Sequence, residues 1–153
     1  MKYIISIIVS ILTFANATNL EITSNDFFYK DGEAEAKFSG NVVAKEGESL
    51  IKASTLIVYL DKNSEAKKYK ASGNVEFEIK NAKKDIKGKC NTLTYLPIED
   101  RYILQGNVVL NDILNKREVY GDEIILDNKK GESYAKSSSK KPVKFIFKVK
   151  SKK

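Results

Sequence analysis

The stretch YKASGNVEFEI, residues 69–79, decides the fold of this 153-residue chain. Its odd-numbered positions are aromatic, aliphatic or small, and its even-numbered positions are polar or charged. A period of two is typical of a β-strand with one dry face and one wet face. A hairpin that turns at Gly73-Asn74 is the alternative. Such a hairpin would pair Ala71 with Glu76 and put a carboxylate on the apolar face, so the stretch predicts one continuous strand.

The triplet Gly-Asn-Val recurs at a constant interval of 33 residues, beginning at Gly40, Gly73 and Gly106. A fixed period of this length is typical of one supersecondary unit stacked on the next. Glycine inside a strand marks a kink or a close approach of another backbone. We therefore expect the three glycines at matched kinks on the inner face of the sheet, with the following asparagines on the outer face.

In the strands between those that carry Gly-Asn-Val, the apolar alternation shifts by one residue, as in Ile51, Ala53, Leu56 and Val58. A slip of one residue exposes the dry face unless a bulge or bend absorbs it. Slips at matched positions predict strands that turn a corner together, so that the sheet curls into a roll or a two-layered sandwich. Since no helical period or linker follows residue 17, the sequence predicts one all-β domain of about ten antiparallel strands.

The first 17 residues have the pattern of a secretory signal peptide. Lys2 provides a basic start, residues 3–14 are nearly all apolar, and the motif ANA ends at Ala17. An uncleaved anchor is the alternative, but the apolar run is shorter than the roughly 20 residues that a membrane span needs. We expect cleavage between Ala17 and Thr18 and export, most simply to a bacterial periplasm.

The net charge of +7 is concentrated at the C-terminus. Residues 136–153 contain eight lysines and no acidic residue, whereas residues 18–135 contain 18 basic and 20 acidic residues. Lysine alternates with apolar residues over 143–149, which predicts a final amphipathic strand and leaves 150–153 as a basic tail outside a domain of residues 18–149. The lysines could contact phosphate or an acidic partner, protect a sheet edge or remain solvated. We expect no nucleic-acid binding, because the body has no basic stripe with aromatic platforms.

The composition argues against catalysis. The chain has no histidine, which removes histidine-based triads, general acid–base histidines and the usual zinc sites. No phosphate-binding loop or dinucleotide fingerprint is present. The one cysteine, Cys90, lies at an inward-facing position in the alternation of its strand, so we expect it to be a small buried hydrophobic residue. The sequence predicts a protein that is not an enzyme and uses no metal or cofactor.

Several segments together resemble the OstA-like family: the Gly-Asn-Val strands, IKASTLIV at residues 51–58, VYGDEIIL at 119–126 and the signal-peptide pattern. The resemblance covers residues 20–147 and implies an open, twisted β-jellyroll whose apolar interior carries the lipid A acyl chains of lipopolysaccharide. It also implies that copies stack head-to-tail in the periplasm. They would bridge the inner-membrane and outer-membrane lipopolysaccharide-transport proteins. The lysine-rich C-terminus departs from the family pattern.

The predicted site is therefore an apolar lining and not a catalytic centre. Its candidates are the inward residues Phe38, Val42, Leu56, Val58, Tyr69, Val75, Phe77, Ile79, Leu104, Val108, Leu110, Ile124, Leu126, Phe145 and Phe147. The alternation along a strand shows which residues point inward, but it cannot distinguish those that line a groove from those packed in the core. A purely structural role is therefore the alternative for each of them. The predicted partner contacts lie on the first and last strands, at Leu20, Ile22, Val143, Phe145 and Phe147. Two other functions remain open, a membrane-anchored, LptC-like component of the same pathway and a periplasmic β-scaffold with a closed core and no lipid.

Overall fold

The computed structural model of the protein describes residues 19–30, 32–138 and 140–150. The predicted signal peptide, with Ala17 and Thr18, and the last three residues of the basic tail lie outside these ranges. The described chain contains ten strands: β1 (Leu20–Thr23), β2 (Asp26–Tyr29), β3 (Glu35–Glu46), β4 (Ser49–Leu60), β5 (Ala66–Lys80), β6 (Asp85–Leu96), β7 (Arg101–Asp112), β8 (Arg117–Asp127), β9 (Glu132–Lys136) and β10 (Lys144–Phe147). No helix in these ranges has the length and apolar character needed to cross a membrane.

All ten strands belong to one sheet with the order β1-β3-β4-β5-β6-β7-β8-β10. Every pairing is antiparallel. The short strand β2 pairs with the start of β3, and β9 pairs with the end of β8. The all-β prediction is confirmed, and the first and last strands lie at opposite edges of the sheet, as expected.

A row of bulges crosses the sheet at the Gly-Asn positions. The register of β3 with β4 shifts between Ser39 and Val42, and the ladders β5–β6 and β7–β8 shift at the same level. In each case Gly-Asn on one strand faces a single residue on the next, which defines a bulge that bends the strand. The strands run on through Gly-Asn without turning back. The prediction of continuous strands that turn a corner together is confirmed.

The expected inward position of the repeated glycines is wrong. Gly73 has φ +87° and Asn74 has φ 47°, so two successive residues adopt left-handed backbone. A Cβ on Gly73 would lie 2.6 Å from the side chain of Ser54, which is exposed. Gly106 faces the exposed Asn91 in the same way. The bulge places two residues opposite one, so strict alternation does not hold through it and the glycine turns outward.

The bulge row divides the sheet into two half-sheets. We call half-sheet A the set of segments 26–29, 35–39, 55–60, 66–72, 92–96, 101–105, 123–127 and 132–136, and half-sheet B the set 20–23, 42–46, 49–53, 75–80, 85–90, 108–112, 117–121 and 144–147. One hydrophobic cluster contains buried side chains from both half-sheets. The two half-sheets therefore face each other across a shared interior, as the layers of a roll do.

The centre of the roll is densely packed. Its largest fully buried side chains are Phe77, Leu93, Leu104, Val58, Val75 and Val108. Cys90 is also buried there, in agreement with its predicted role as a small hydrophobe.

Candidate functional site

Two apolar clefts lie between the half-sheets. The first cleft has a volume of about 320 Å³. Half-sheet B contributes Leu20, Ile22, Ala44, Ile51 and Ile79 to its walls, and half-sheet A contributes Leu56, Tyr69, Ala71, Leu93, Tyr95 and Tyr102. The charged residues of its lining are both acidic, Glu46 and Glu78. This cleft combines an apolar interior with a negatively charged rim.

A row of three tyrosines forms one wall of the first cleft. Tyr69 faces Tyr95 across the β5–β6 ladder, and Tyr95 faces Tyr102 across the β6–β7 ladder. The ring centroids are 6.2 Å and 4.5 Å apart, so the rings stack in sequence. The Tyr95 hydroxyl donates a hydrogen bond of 3.2 Å to the Asp100 carboxylate. Burial, together with the negative charge of Glu46, raises the pKa of Tyr69 to about 12. Burial and the charges of Asp100 and Glu46 raise the pKa of Tyr102 to about 12.

We expect these tyrosines to make the fold sensitive to alkali. An unfolded tyrosine ionises near pH 10, whereas Tyr69 and Tyr102 keep their protons to about pH 12 in the folded chain. The contribution of these tyrosines to stability should therefore be fully present below about pH 10 and be lost as the pH rises towards about 12. Ultraviolet titration of tyrosinate should show a late-ionising group that disappears in denaturant. The Tyr102→Phe variant should lose one late proton, and an unchanged titration of that variant would contradict this assignment.

The second cleft lies at the other end of the roll and has a volume of about 380 Å³. Its apolar lining comprises Ile86, Leu110, Val119, Ile124, Leu126, Ala135, Val143 and Phe145. Its charged residues are Lys83, Lys84, Arg117 and Asp112, three cations and one carboxylate. Arg117 Nη2 lies 2.6 Å from Asp112 Oδ2. Although burial acts to raise it, hydrogen bonds from Arg117 and Asn115 lower the pKa of Asp112 below its usual value.

A third recess lies between the two clefts. It opens where the turn between β5 and β6 faces Asn128, just after β8, and we call this opening the mouth of the roll. The recess shares Ile79 and Tyr102 with the first cleft, and Lys84 and Leu126 with the second. The three cavities therefore lie side by side between the half-sheets.

One polar contact spans this mouth. Lys84, in the turn between β5 and β6, donates a hydrogen bond to Asn128 Oδ1 just beyond β8. The Asn128 amide donates in turn to the Asp100 carboxylate, at 3.1 Å. Among the side-chain hydrogen bonds and salt bridges of the described residues, only Lys84–Asn128 connects a turn at the end of half-sheet B with a turn at the end of half-sheet A. We call this contact the mouth bridge.

The predicted lining residues fall into three groups. Seven of them line a cleft: Leu56, Tyr69 and Ile79 in the first, and Leu110, Ile124, Leu126 and Phe145 in the second. Six lie in the packed centre and touch neither cleft: Val42, Val58, Val75, Phe77, Leu104 and Val108. Phe38 is half-buried against Phe27 at a ring distance of 4.9 Å, and Phe147 is exposed.

The sequence prediction missed several cleft residues. Tyr95, Tyr102, Leu93 and Ile51 have the inward parity of their strands and could have been included on that ground. Lys84 and Asn128 are 44 residues apart, and no local pattern connects a turn lysine with an asparagine after another strand.

The edge strands β1 and β10 each contribute to one cleft. Leu20 and Ile22 of β1 line the first cleft. Val143 and Phe145, just before and within β10, line the second. Phe145 and Phe147 remain 49% and 58% exposed, so β10 adds an exposed apolar surface, with Lys144 beside it, to its edge. Each cleft is thus bordered by one edge of the sheet.

This arrangement defines a class of protein, an open β-jellyroll with an apolar interior that is accessible between two half-sheets. A family model described as "LptA/(LptD N-terminal domain) LPS transport protein" matches residues 21–132. The chain belongs to that family, and the resemblance predicted from its repeats is confirmed.

Solved structures support the same fold. LptH of Pseudomonas aeruginosa, described as the LptA-homologous periplasmic component of the lipopolysaccharide transport device, superposes with a TM-score of 0.74 at 18% sequence identity. The match covers 86% of this chain and 96% of the LptH chain. Comparison with curated protein sequences gives no match.

Proposed function

We propose that this protein is a periplasmic lipopolysaccharide carrier that shelters the acyl chains of lipid A in the two clefts. The observation that carries this proposal is the pair of apolar clefts, with a recess between them, that lie between two halves of one open sheet. Volumes of about 320 and 380 Å³ fall within the range of roughly 300–1,000 Å³ that is usual for small-molecule sites. Membership of an LPS transport family supports the same ligand.

The energetics of burial favour transfer from carrier to carrier over release into water. Each buried methylene contributes about 0.8 kcal/mol, so an acyl chain of a dozen carbons gains roughly 10 kcal/mol by entering a cleft. Release of such a chain into water would be slow. Transfer to an equivalent cleft in an adjoining molecule has little net cost, so carriers of this kind work best as a continuous row.

We propose that copies form this row by head-to-tail docking of the β10 edge on the β1 edge. Within the described residues, β1 pairs only with β3 and β10 only with β8. Each therefore has a free edge for strand addition. The β1 edge carries Glu21 and the acidic rim of the first cleft, whereas the β10 edge carries Lys144. Docking would join the second cleft of one copy to the first cleft of the next and would match opposite charges.

The remaining parts of the proposal follow from this arrangement. The contact of unlike edges leaves the row open at both ends. The ends of the row would contact inner-membrane and outer-membrane lipopolysaccharide-transport proteins. Export with a signal peptide cleaved between Ala17 and Thr18 would deliver the chain to the periplasm.

Photo-crosslinking tests the ligand. A benzoyl-phenylalanine at Tyr69, in the first cleft, should give lipopolysaccharide adducts when the protein is isolated from cells that make this lipid. The matched control is the same residue at Tyr59, which is half-buried on the outer face under Lys68. We expect at least about tenfold more adduct at Tyr69, because only that ring borders apolar space. Equal labelling at the two tyrosines would contradict the proposal.

Sedimentation tests the row. The Phe147→Asp substitution replaces an exposed ring of β10 with a carboxylate and should weaken self-association about tenfold or more. Burial of such a ring in the contact between copies would contribute about 1.5–3 kcal/mol. The control Ile98→Asp changes a side chain that is 68% exposed in the turn between β6 and β7, away from both edges. Identical association of wild type and both variants would show that the β10 edge is not the docking surface.

A further inference from the structure

The two clefts differ in the charge of their rims. Both charged residues that line the first cleft are acidic. Glu78 lies 3.9 Å from Lys87 Nζ, so Glu46 is the carboxylate of this cleft that makes no salt bridge within the described residues. The second cleft has three cations and one carboxylate, and that carboxylate, Asp112, is already paired with Arg117. Lys83 and Lys84 therefore remain as the cations at the second cleft that make no salt bridge within the described residues.

The turn that carries these lysines is ordered by its own hydrogen bonds. The backbone N–H groups of Lys83 and Lys84 both donate to Asn81 Oδ1, at 2.8 and 2.9 Å. The N–H of Asn81 donates to the Lys84 carbonyl at 2.9 Å. The Asn81 side chain thus holds two consecutive lysines on one short turn at the mouth of the roll, a preorganised arrangement of positive charge.

The present partner of Lys84 is a weak competitor for an anion. Lys84 Nζ donates to the neutral amide oxygen of Asn128 in the mouth bridge. The Lys84–Asn128 hydrogen bond has a charged donor and a neutral acceptor, whereas a phosphate oxygen would add the attraction of an opposite charge to the same contact. An anionic oxygen at the mouth would therefore displace the Asn128 oxygen from Lys84.

We propose that Lys83 and Lys84 bind the phosphate of a phosphorylated amphiphile whose acyl chains occupy the second cleft. This inference is based on the proposed function and adds the headgroup contact and the orientation of the ligand. The apolar chains lie between the half-sheets, and the phosphate stays in the mouth, where water and two ammonium groups solvate it. The acidic first cleft repels the same phosphate, so the headgroup is bound at one end of the roll. Phosphate binding also replaces the Lys84–Asn128 contact of the mouth bridge.

The test compares two lipids that differ only in phosphate. Binding of diphosphoryl lipid A and of its enzymatically dephosphorylated form is measured in the same detergent by displacement of an apolar fluorescent probe. The Lys83→Gln/Lys84→Gln variant should bind the phosphorylated lipid about tenfold more weakly than wild type, with no change for the dephosphorylated lipid. The Lys83→Arg/Lys84→Arg variant should keep wild-type binding of both. The control Lys62→Gln/Lys67→Gln makes the same charge change on exposed residues that line neither cleft and should have no effect.

Four results would overturn the inference. An equal loss of affinity for the two lipids in the Lys83→Gln/Lys84→Gln variant would show that the lysines support the fold and do not bind phosphate. If the wild-type protein bound the two lipids with equal affinity, the phosphate contact would be refuted and the carrier function would stand. If it bound neither lipid, the phosphate contact and the carrier function would both be refuted. Inorganic phosphate that competes as strongly as the lipid phosphate would show a site for the free ion.

Discussion

Replacing Phe77 with alanine is expected to lower the free energy of unfolding by about 3–5 kcal/mol, the usual cost of removing a large aromatic ring from a packed core. Phe77 is 1% exposed and is among the largest fully buried side chains. It lies at the centre of half-sheet B, between Ile51 of β4 and Gly88 of β6. The protein has only one described hydrophobic cluster to sustain its fold, and a loss of this size is a large part of the 5–15 kcal/mol typical of a domain. Denaturant unfolding measures the change directly.

The control for this prediction is the same substitution at Phe28. That ring is 60% exposed on β2, so its removal should change the unfolding free energy by less than about 0.5 kcal/mol. Equal effects at Phe77 and Phe28 would show that the half-sheets do not enclose a packed interior. In that case the proposed separation of central core from clefts would also be wrong.

The second large effect is expected from Gly88→Ala. A Cβ at this position would overlap the backbone carbonyl oxygen of Val109 and lie 2.6 Å from Phe77 Cζ. A carbonyl in a strand cannot rotate away, so the β6–β7 ladder must open or shift at Gly88. We expect a loss of about 3 kcal/mol, at the upper end of the range for overpacked sites. The free energy from denaturant unfolding is again the measurement.

Gly131→Ala is the matched control. Gly131 has φ +65° and open space around the position of a Cβ. Its substitution therefore measures only the cost of left-handed backbone, roughly 1–2 kcal/mol. In a Phe77→Leu background, Gly88→Ala should cost less unfolding free energy than in the wild type but should still be destabilising, because the Val109 carbonyl still blocks the new methyl group. Disappearance of the whole cost in that background would mean that the ring, and not the backbone, requires glycine at this position.

Much of the fold could be predicted from the sequence because its signals are local. Alternation around Val75 and Leu104 identified the strands and their inward faces, and the slip near Ala53 identified the bend. The orientation of Gly73 could not be read from parity, because alternation fails at the bulge itself. Its left-handed φ and its contact with Ser54 depend on the neighbouring strand.

The candidate site was only partly accessible to the same reasoning. Tyr69 and Val75 are both inward on β5 and look alike in sequence, yet Tyr69 lines the first cleft and Val75 is fully buried. The difference depends on how far apart the half-sheets lie at each level. Leu93 and Tyr95, which line the first cleft beside Tyr69, come from another strand.

By itself the sequence determined the all-β class, the repeat, the bulge row and the inward face of each long strand, because period-two patterning and Gly-Asn conformational preferences act within one strand. Only the tertiary structure decided which inward residues pack and which border a cleft. It also brought Lys84 to Asn128 across the mouth and put acidic and basic rims at opposite ends of the roll. Those features depend on distances between segments that are far apart in the chain, and no local pattern encodes such distances.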